Sequence, residues 1–291
     1  MKKILITGAG GFFASRFINF YKDKYDIIPF RRQDLDITDR QKVIDAFESY
    51  KPDYVLHTAA MAATKDCEDN PQKAYDINVN GSIYTAEACR KINAKLVYFS
   101  SEQIFNGNIE SGPYDEEIVP QPNTAYGRNK LEAEKKVRDI IDNVWILRFT
   151  WLFGFPERNS KVNANIIVNV LKAALKNEKT KFPANEYRGM TYVYDLISNF
   201  EKIFEIPYGT YNTGSENNLS TYETACIVLR ELGLDSRKDE IIEKDTEKYK
   251  ESTRDLRISN KKLRNSGISF MTTEEGIKKC IQEFHYNFVN K

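Results

Sequence analysis

A doubly wound parallel α/β sheet with a smaller C-terminal domain is the fold this sequence predicts, and three observations predict it. Short apolar runs alternate with longer amphipathic ones through the first half of the chain. A glycine turn, "TGAGG", follows the first apolar run and opens the first helical one. Beyond about Gly154 the alternation loosens.

"KILIT" reads as a buried strand, since its core is an unbroken apolar run. "FASRFINFYKDK" follows as a helix and "YDIIPF" as the next strand. "DRQKVIDAFESY" is helical, "DYVLHTAA" a strand, and "PQKAYDINVNGSIYTAEACRKI" one long helix. "KLVYFSS", "AYGRNKLEAEKKVRDI" and "NVWILRFTW" repeat the strand, helix, strand order. Right-handed crossovers between such units place helices on both faces of a parallel sheet. Later, "VNANIIVNVLKAAL", "STYETACIVLRELGL" and "TTEEGIKKCIQEF" read as amphipathic helices, and "MTYVYDLISNFEKIFE" as a strand end with a helix. These patterns give a dinucleotide-binding domain over 1–154 and a mainly substrate-binding domain over 155–291, with the segment near 186–205 returning to the first.

The chain has 291 residues and a formal net charge of +1, enough length for one large domain or two modest ones. Its charges nearly cancel, so no basic field points to a nucleic-acid partner. Cys67, Cys89, Cys226 and Cys280 are far apart, without a Cys-x-x-Cys, and there are two histidines, so no metal site is expected. Scattered cysteines fit a reducing compartment. Glycines interrupt the apolar start of "MKKILITGAGG" too early for a secretory segment. No stretch approaches the roughly 20 apolar residues of a membrane span. The expectation is a soluble cytoplasmic protein with neither a membrane nor a nucleic-acid partner.

Gly8, Gly10 and Gly11 lie between the first strand and the first helix, in a Gly-x-x-Gly-x-x-Ala spacing that ends at Ala14. Glycines let the backbone approach a pyrophosphate and seat it on the helix N-terminus. The fold expected is therefore of the Rossmann type, with Phe12 and Phe13 opening the cofactor-binding helix. The second strand ends in "RRQDLDITD", which puts Arg31 and Arg32 where an NAD site usually carries an acid. Guanidinium groups suit a 2′-phosphate, so NADPH is expected. Asp34 could still reach the ribose, which leaves NADH open. Asp36 and the small residues Ala59 and Ala60 of "HTAA" complete the cofactor set, the alanines letting the cofactor lie against backbone.

Tyr126 and Lys130 fall at i and i+4, on one face of a helix. A phenol has a reference pKa of about 10. A neighbouring ammonium and an oxidised nicotinamide both favour the phenolate. Tyr126 could then exchange a proton with a carbonyl oxygen near neutral pH. Ser101, at the end of the preceding strand, could hydrogen-bond the same oxygen, and Lys130 could also hold the nicotinamide ribose. The alternative is that Tyr126 packs in the core and Lys130 pairs with Glu134, again at i and i+4. "LEAEKK" otherwise reads as a solvated face.

"TGAGGFF", "LDITD", "HTAA", "NVNGS", "FSSEQIFNG", "YGRNKLEAE" and "LRFTWLFG" occur in the order found in the extended short-chain dehydrogenases, which the whole chain resembles. "LDITD", the Ser-Ser-x-x-x-Phe-x-Gly run and "LRFTWLFG" are most similar to the dTDP-4-dehydrorhamnose reductase family. The resemblance implies NAD(P)H-dependent reduction of the C4 keto group of a nucleotide-diphosphate deoxysugar, with Ser101, Tyr126 and Lys130 catalytic. It implies cofactor contact at Asn78 and substrate contact at Ser101, Trp151 and Asn165, with Glu102 and Gln103 lying where the sugar is to be held; Arg188 occupies the place of a diphosphate-binding arginine of the wider family, which the rhamnose-reductase pattern usually lacks. His57 is read as structural, because the family makes no chemical use of that position. A homodimer is compatible with it.

The sequence departs from the family at three places. Ser100-Ser101-Glu102-Gln103 replaces Ser-Thr-Asp-Tyr, Met61 replaces a tyrosine, and "STRD" leaves Arg254 displaced. A 4,6-dehydratase needs an acidic pair where only Glu102 is acidic. A 4-epimerase of the same superfamily and a non-catalytic dinucleotide-binding regulatory subunit remain as alternatives.

Overall fold

The computed structural model describes residues 1–158 and 160–284. In chain order the elements are β1 (Lys3–Thr7), α1 (Phe12–Tyr21), β2 (Asp26–Phe30), α2 (Arg40–Tyr50), β3 (Tyr54–His57), α3 (Thr64–Asp69), α4 (Pro71–Tyr75), α5 (Gly81–Ile92), β4 (Lys95–Ser101), α6 (Ala125–Ile140) and β5 (Val144–Phe149). There follow β6 (Trp151–Phe153), α7 (Ile166–Lys176), β7 (Thr180–Pro183), β8 (Glu186–Arg188), β9 (Met190–Tyr192), α8 (Val193–Asn199), β10 (Gly209–Thr213) and α9 (Thr221–Glu231). Last come α10 (Lys238–Ile241), β11 (Ile242–Asp245), β12 (Arg254–Leu256), α11 (Lys261–Asn265) and α12 (Thr273–Glu283).

The chain forms two compact units. The first comprises Met1–Ile109, Glu116–Phe149 and Ile203–Tyr211. Its sheet has the order β10-β5-β4-β3-β1-β2, with β1 pairing in parallel with both β2 and β3. The chain therefore reverses its direction of travel across the sheet between β1 and β3. In open α/β sheets ligands bind at the carboxyl ends of the strands beside such a switch point. The glycine turn lies there, directly after β1. A core of Leu5, Val43, Phe47, Val55, Leu96, Ala133 and Val137 packs α2, α5 and α6 against the sheet, so α6 is fixed along its length.

The long helix expected over Pro71–Ile92 is interrupted. Asp76–Asn80 forms a π-helical turn between α4 and α5. Asn78 explains the distortion, because its amide bonds across to Met61 on a neighbouring segment. Insertions of this kind re-aim side chains within a helix.

The second unit comprises Glu110–Asp115, Thr150–Lys202 and Asn212–Lys291, and residues 285–291 lie outside the described ones. It contains three two-stranded parallel pairs, β11 with β7, β12 with β8, and β6 with β9. These strands are three or four residues long and carry no alternating pattern that would mark them in the sequence.

The division differs from the expected one. The first boundary falls at Phe149 rather than residue 154, because Trp151 pairs with Met190 in β9. The segment that rejoins the first unit is Ile203–Tyr211, not 186–205. Phe204 stacks on Tyr54, and the Trp145 indole donates to the Ile206 carbonyl at 3.0 Å. Glu110–Asp115 joins the second unit through Tyr114, which bridges to Ile258 and whose carbonyl accepts from the Asn212 amide at 2.9 Å.

Candidate active site

The glycine turn is shaped by its neighbours. Gly8 has φ +72°, and a Cβ there would lie 2.7 Å from the Ala59 Cα. Both the backbone conformation and the close approach demand glycine. The Gly11 amide donates to the Gly8 carbonyl at 2.8 Å and turns the chain into α1. No side chain caps the N-terminus of α1. A helix N-terminus without a side-chain cap is the arrangement a phosphate requires.

Phe12 and Phe13 do not present their rings to a ligand. Both are buried, Phe12 beneath the Arg16 guanidinium at 4.0 Å and Phe13 against Phe99 at 4.9 Å between ring centroids. Arg31 and Arg32 are exposed at the end of β2, and the Arg31 side chain passes beside Gly10. Asp34 accepts from the Arg31 amide at 2.8 Å and so closes its own loop. Asp36 accepts from the Thr38 amide and hydroxyl at 3.0 and 2.7 Å. Those bonds, with the charges of Arg32 and Lys42, hold its carboxyl below the usual range.

Asn78 is a correction to the cofactor set. Its Oδ1 accepts from the Met61 amide at 2.8 Å and its Nδ2 donates to the Met61 carbonyl at 3.0 Å. Both ends of the side-chain amide thereby pin the segment after β3. His57 is buried with Nδ1 2.8 Å from the Thr7 hydroxyl and Nε2 3.1 Å from that of Ser82. Burial, then the nearby Lys130 charge, drives its pKa down to about 3, so the ring is neutral.

Tyr126 and Lys130 occupy the first turns of α6, capped by Thr124, whose hydroxyl accepts from the Gly127 amide at 3.1 Å. Gly127 is required because a Cβ there would lie 2.5 Å from the Gln103 carbonyl oxygen. This contact presses α6 onto the segment that follows Ser101. Lys130 is buried, and its Nζ donates to the Phe99 carbonyl of β4 at 2.6 Å. The ammonium lies 5.0 Å from the Tyr98 ring centroid and 5.9 Å from that of Tyr126. Burial lowers its pKa to about 8, against the opposing effect of Glu134. Ser101 ends β4, and its hydroxyl oxygen accepts from the Gln103 amide at 3.2 Å. Accepting that bond leaves the hydroxyl proton to donate elsewhere. Met61 packs on Tyr126 together with Cys67, Ala74 and Ala125.

Two further expectations are corrected by burial. Glu134 belongs to no solvated face. It is fully buried and receives a bidentate guanidinium from Arg148, with Nη2 to Oε2 at 2.8 Å, and the Ser100 hydroxyl. The spacing from Lys130 was visible, but the partners on β4 and β5 were not. Arg148 inside the apolar run "WILRF" was the available signal, since a buried charge requires a partner. Glu102 exposes no surface at all, whereas Gln103 is buried but not fully enclosed. Glu102 therefore offers no face to a ligand.

The second unit holds the remaining candidates. Asn165 is fully buried as the N-cap of α7. Its Oδ1 accepts from the Val168 amide at 3.1 Å, and its Nδ2 donates to the carbonyls of Gly154 and Asn163 at 3.0 and 3.2 Å. Its acceptor and donors are thus engaged in capping α7. The Arg188 guanidinium lies over the Trp151 ring, 4.9 Å from its centroid. Arg254 forms an ion pair with Glu186 at 2.5 Å, which fixes its position on β12. Among the described residues no cluster of His, Cys, Asp and Glu could hold a metal ion, and no helix is long and apolar enough to cross a membrane.

A switch-point glycine turn, with a Tyr-x-x-x-Lys helix held against a serine-bearing strand end, defines the class of the extended short-chain dehydrogenases. The chain belongs to the RmlD substrate binding domain family, which matches residues 1–286. A Bacillus subtilis (strain 168) relative, spore coat polysaccharide biosynthesis protein SpsK, is 29% identical over 287 residues, covering 97% of this chain and 98% of that protein. The Bacillus anthracis dTDP-4-dehydrorhamnose reductase, whose structure holds NADP, superimposes with a TM-score of 0.84 at 27% identity, covering 97% of this chain and 99% of that one. The β subunit of methionine adenosyltransferase 2 from Bos taurus is 27% identical over 249 residues, 81% of this chain and 73% of that protein.

Proposed function

We propose that this protein reduces the C4 keto group of a dTDP-linked deoxysugar with NADPH, taking dTDP-4-dehydro-L-rhamnose to dTDP-L-rhamnose. One observation carries the reading: Lys130 is buried, bonded to the Phe99 carbonyl and set beside Tyr126. A buried ammonium beside a phenol is costly unless the charge is used. The cradle formed by Gly8 and Ala59, the uncapped N-terminus of α1 and the Arg31 side chain beside Gly10 fit the cofactor's phosphates. NADPH, when bound, supplies the hydride that the carbonyl carbon takes up.

The chain's own groups manage the proton and the charge. Ser101 donates its hydroxyl proton in a hydrogen bond to the carbonyl oxygen and fixes its direction. Tyr126 delivers the proton that turns that oxygen into a hydroxyl, and the phenolate left behind is stabilised by Lys130. Solvent then reprotonates Tyr126. Arg31 and Arg32 favour a 2′-phosphate over a bare ribose. In the second unit Trp151 offers an aromatic face to a pyranose, and Arg188 suits the diphosphate. The likeness to SpsK, a spore coat polysaccharide biosynthesis protein, supports a product used in polysaccharide synthesis, and the reading is of a soluble cytoplasmic enzyme.

The test is a panel of dTDP-, UDP- and GDP-4-keto sugars assayed with NADPH and NADH. Stoichiometric oxidation of NADPH with the dTDP sugar is the expected result. The likeness to the methionine adenosyltransferase β subunit favours a second reading, a dinucleotide-binding partner without turnover. Tight NADPH binding with no oxidation across the panel selects that second reading.

A further inference from the structure

Glu134 is the one buried carboxylate on the Tyr126 and Lys130 face of α6, and it contacts two strands at once. Ser100 of β4 and Arg148 of β5 are directly paired across the sheet. Both reach the same carboxylate, Ser100 through its hydroxyl and Arg148 through Nε at 3.1 Å to Oε1 and Nη2 at 2.8 Å to Oε2. The carboxylate is fully enclosed and Arg148 is 4% exposed, so water does not weaken the contact. The Arg148 guanidinium also lies 5.5 Å from the centroid of the Phe105 ring, in the turn that follows Ser101.

We propose that Glu134 is a positioning residue for the reduction: it clamps α6 onto β4 and β5 so that Lys130 meets the Phe99 carbonyl, and it sets a carboxylate one helical turn from the Lys130 ammonium. This inference rests on the reductase reading for its catalytic consequence, but not for the clamp itself. The clamp sits one turn beyond Lys130 and one residue before Ser101 on β4, so the same contact registers both elements that carry the chemistry.

The groups facing Lys130 are few. They are Tyr126 and Glu134 on α6, Tyr98 on β4, His57 on β3 and Cys67 on α3. His57 is neutral, burial keeps the Tyr98 phenol protonated, and burial likewise raises the Cys67 thiol. Among the influences on Lys130, that of Glu134, itself paired with Arg148, is the largest that raises it, and it opposes that of burial.

Glu134→Gln keeps the shape and removes the charge. Lysine labelled with 13C and 15N reports the Lys130 titration by NMR whether or not the protein turns over. The midpoint is expected to fall in the variant. In turnover, kcat at pH 8.5 is expected to drop at least ~10-fold, and at pH 6.5 less than ~3-fold, with the NADPH Kd unchanged. Removing one partner of a buried pair can unfold a protein, so Glu134→Gln/Arg148→Met, which leaves no stranded guanidinium, carries the same measurements. An unchanged Lys130 midpoint, or a loss of kcat equal at both pH values, overturns the proposal. A midpoint that shifts in the variant, when the wild-type protein itself shows no turnover, leaves the role of Glu134 standing and removes the reductase reading instead.

Discussion

Two sets of buried polar groups, one in each unit, use their hydrogen bonds differently. In the first, Ser101 accepts a backbone bond that leaves its proton to give, and Lys130 is anchored by Phe99 with Tyr126 beside it. In the second, Asn165 has its acceptor and its donors engaged in capping α7, and Glu186 is held by Arg254 and Thr221. The first arrangement leaves bonding capacity for chemistry, while the second consumes it in holding the fold. A polar residue at a position matching a family motif is therefore not by itself a ligand contact. What its hydrogen bonds already do decides the matter.

The comparison can be broken most sharply at Tyr126. Tyr126→Phe is expected to lower kcat by about 10³-fold while the NADPH Kd, read by fluorescence titration, stays put. Asn165→Ala should do the reverse. Losing the cap and stranding the Gly154 carbonyl is expected to cost about 2 kcal/mol in urea unfolding, with kcat and KM unmoved. A rise in the sugar KM would return Asn165 to the substrate site.

Acid stability sharpens the contrast through His57. Its ring is neutral in the fold, with a pKa of about 3 against 6.5 when exposed. Between those values the unfolded chain binds the extra proton, so stability is complete above pH 6.5 and declines as pH falls. From pH 7 to pH 5 the loss from this group is about 2 kcal/mol, and His57→Asn should flatten that part of the urea-unfolding profile. The smallest effect is expected at the end of β2. Replacing Arg31 and Arg32 by alanine should raise the KM for NADPH about 10-fold and leave that for NADH within about 2-fold.

The first unit was readable because its signals are local. The order of strands and helices follows from periodicity, and α6 spans Ala125–Ile140 as the pattern "AYGRNKLEAEKKVRDI" marks it. Gly8 is dictated by a turn the sequence displays. The π-helical turn at Asp76–Asn80 was not readable, since it depends on Asn78 meeting Met61, a contact made only in three dimensions. The same holds for Glu134, whose partners lie on two separate strands. The short strand pairs of the second unit have too few residues to show a period, and the displaced boundaries follow from them. Sugar recognition was least legible, because Glu102 is enclosed and Arg188 shares its face with Trp151, and neither fact has a sequence signature.

The central claim is that the first unit delivers a hydride and a proton to one carbonyl. The most direct measurement uses NADPH deuterated at C4 with dTDP-4-dehydro-L-rhamnose, followed by mass spectrometry and NMR of the sugar. One deuterium is expected at C4 of the product for each NADPH oxidised when both C4 positions of the nicotinamide carry deuterium. A sugar recovered without deuterium while NADPH remains bound and unoxidised would contradict it.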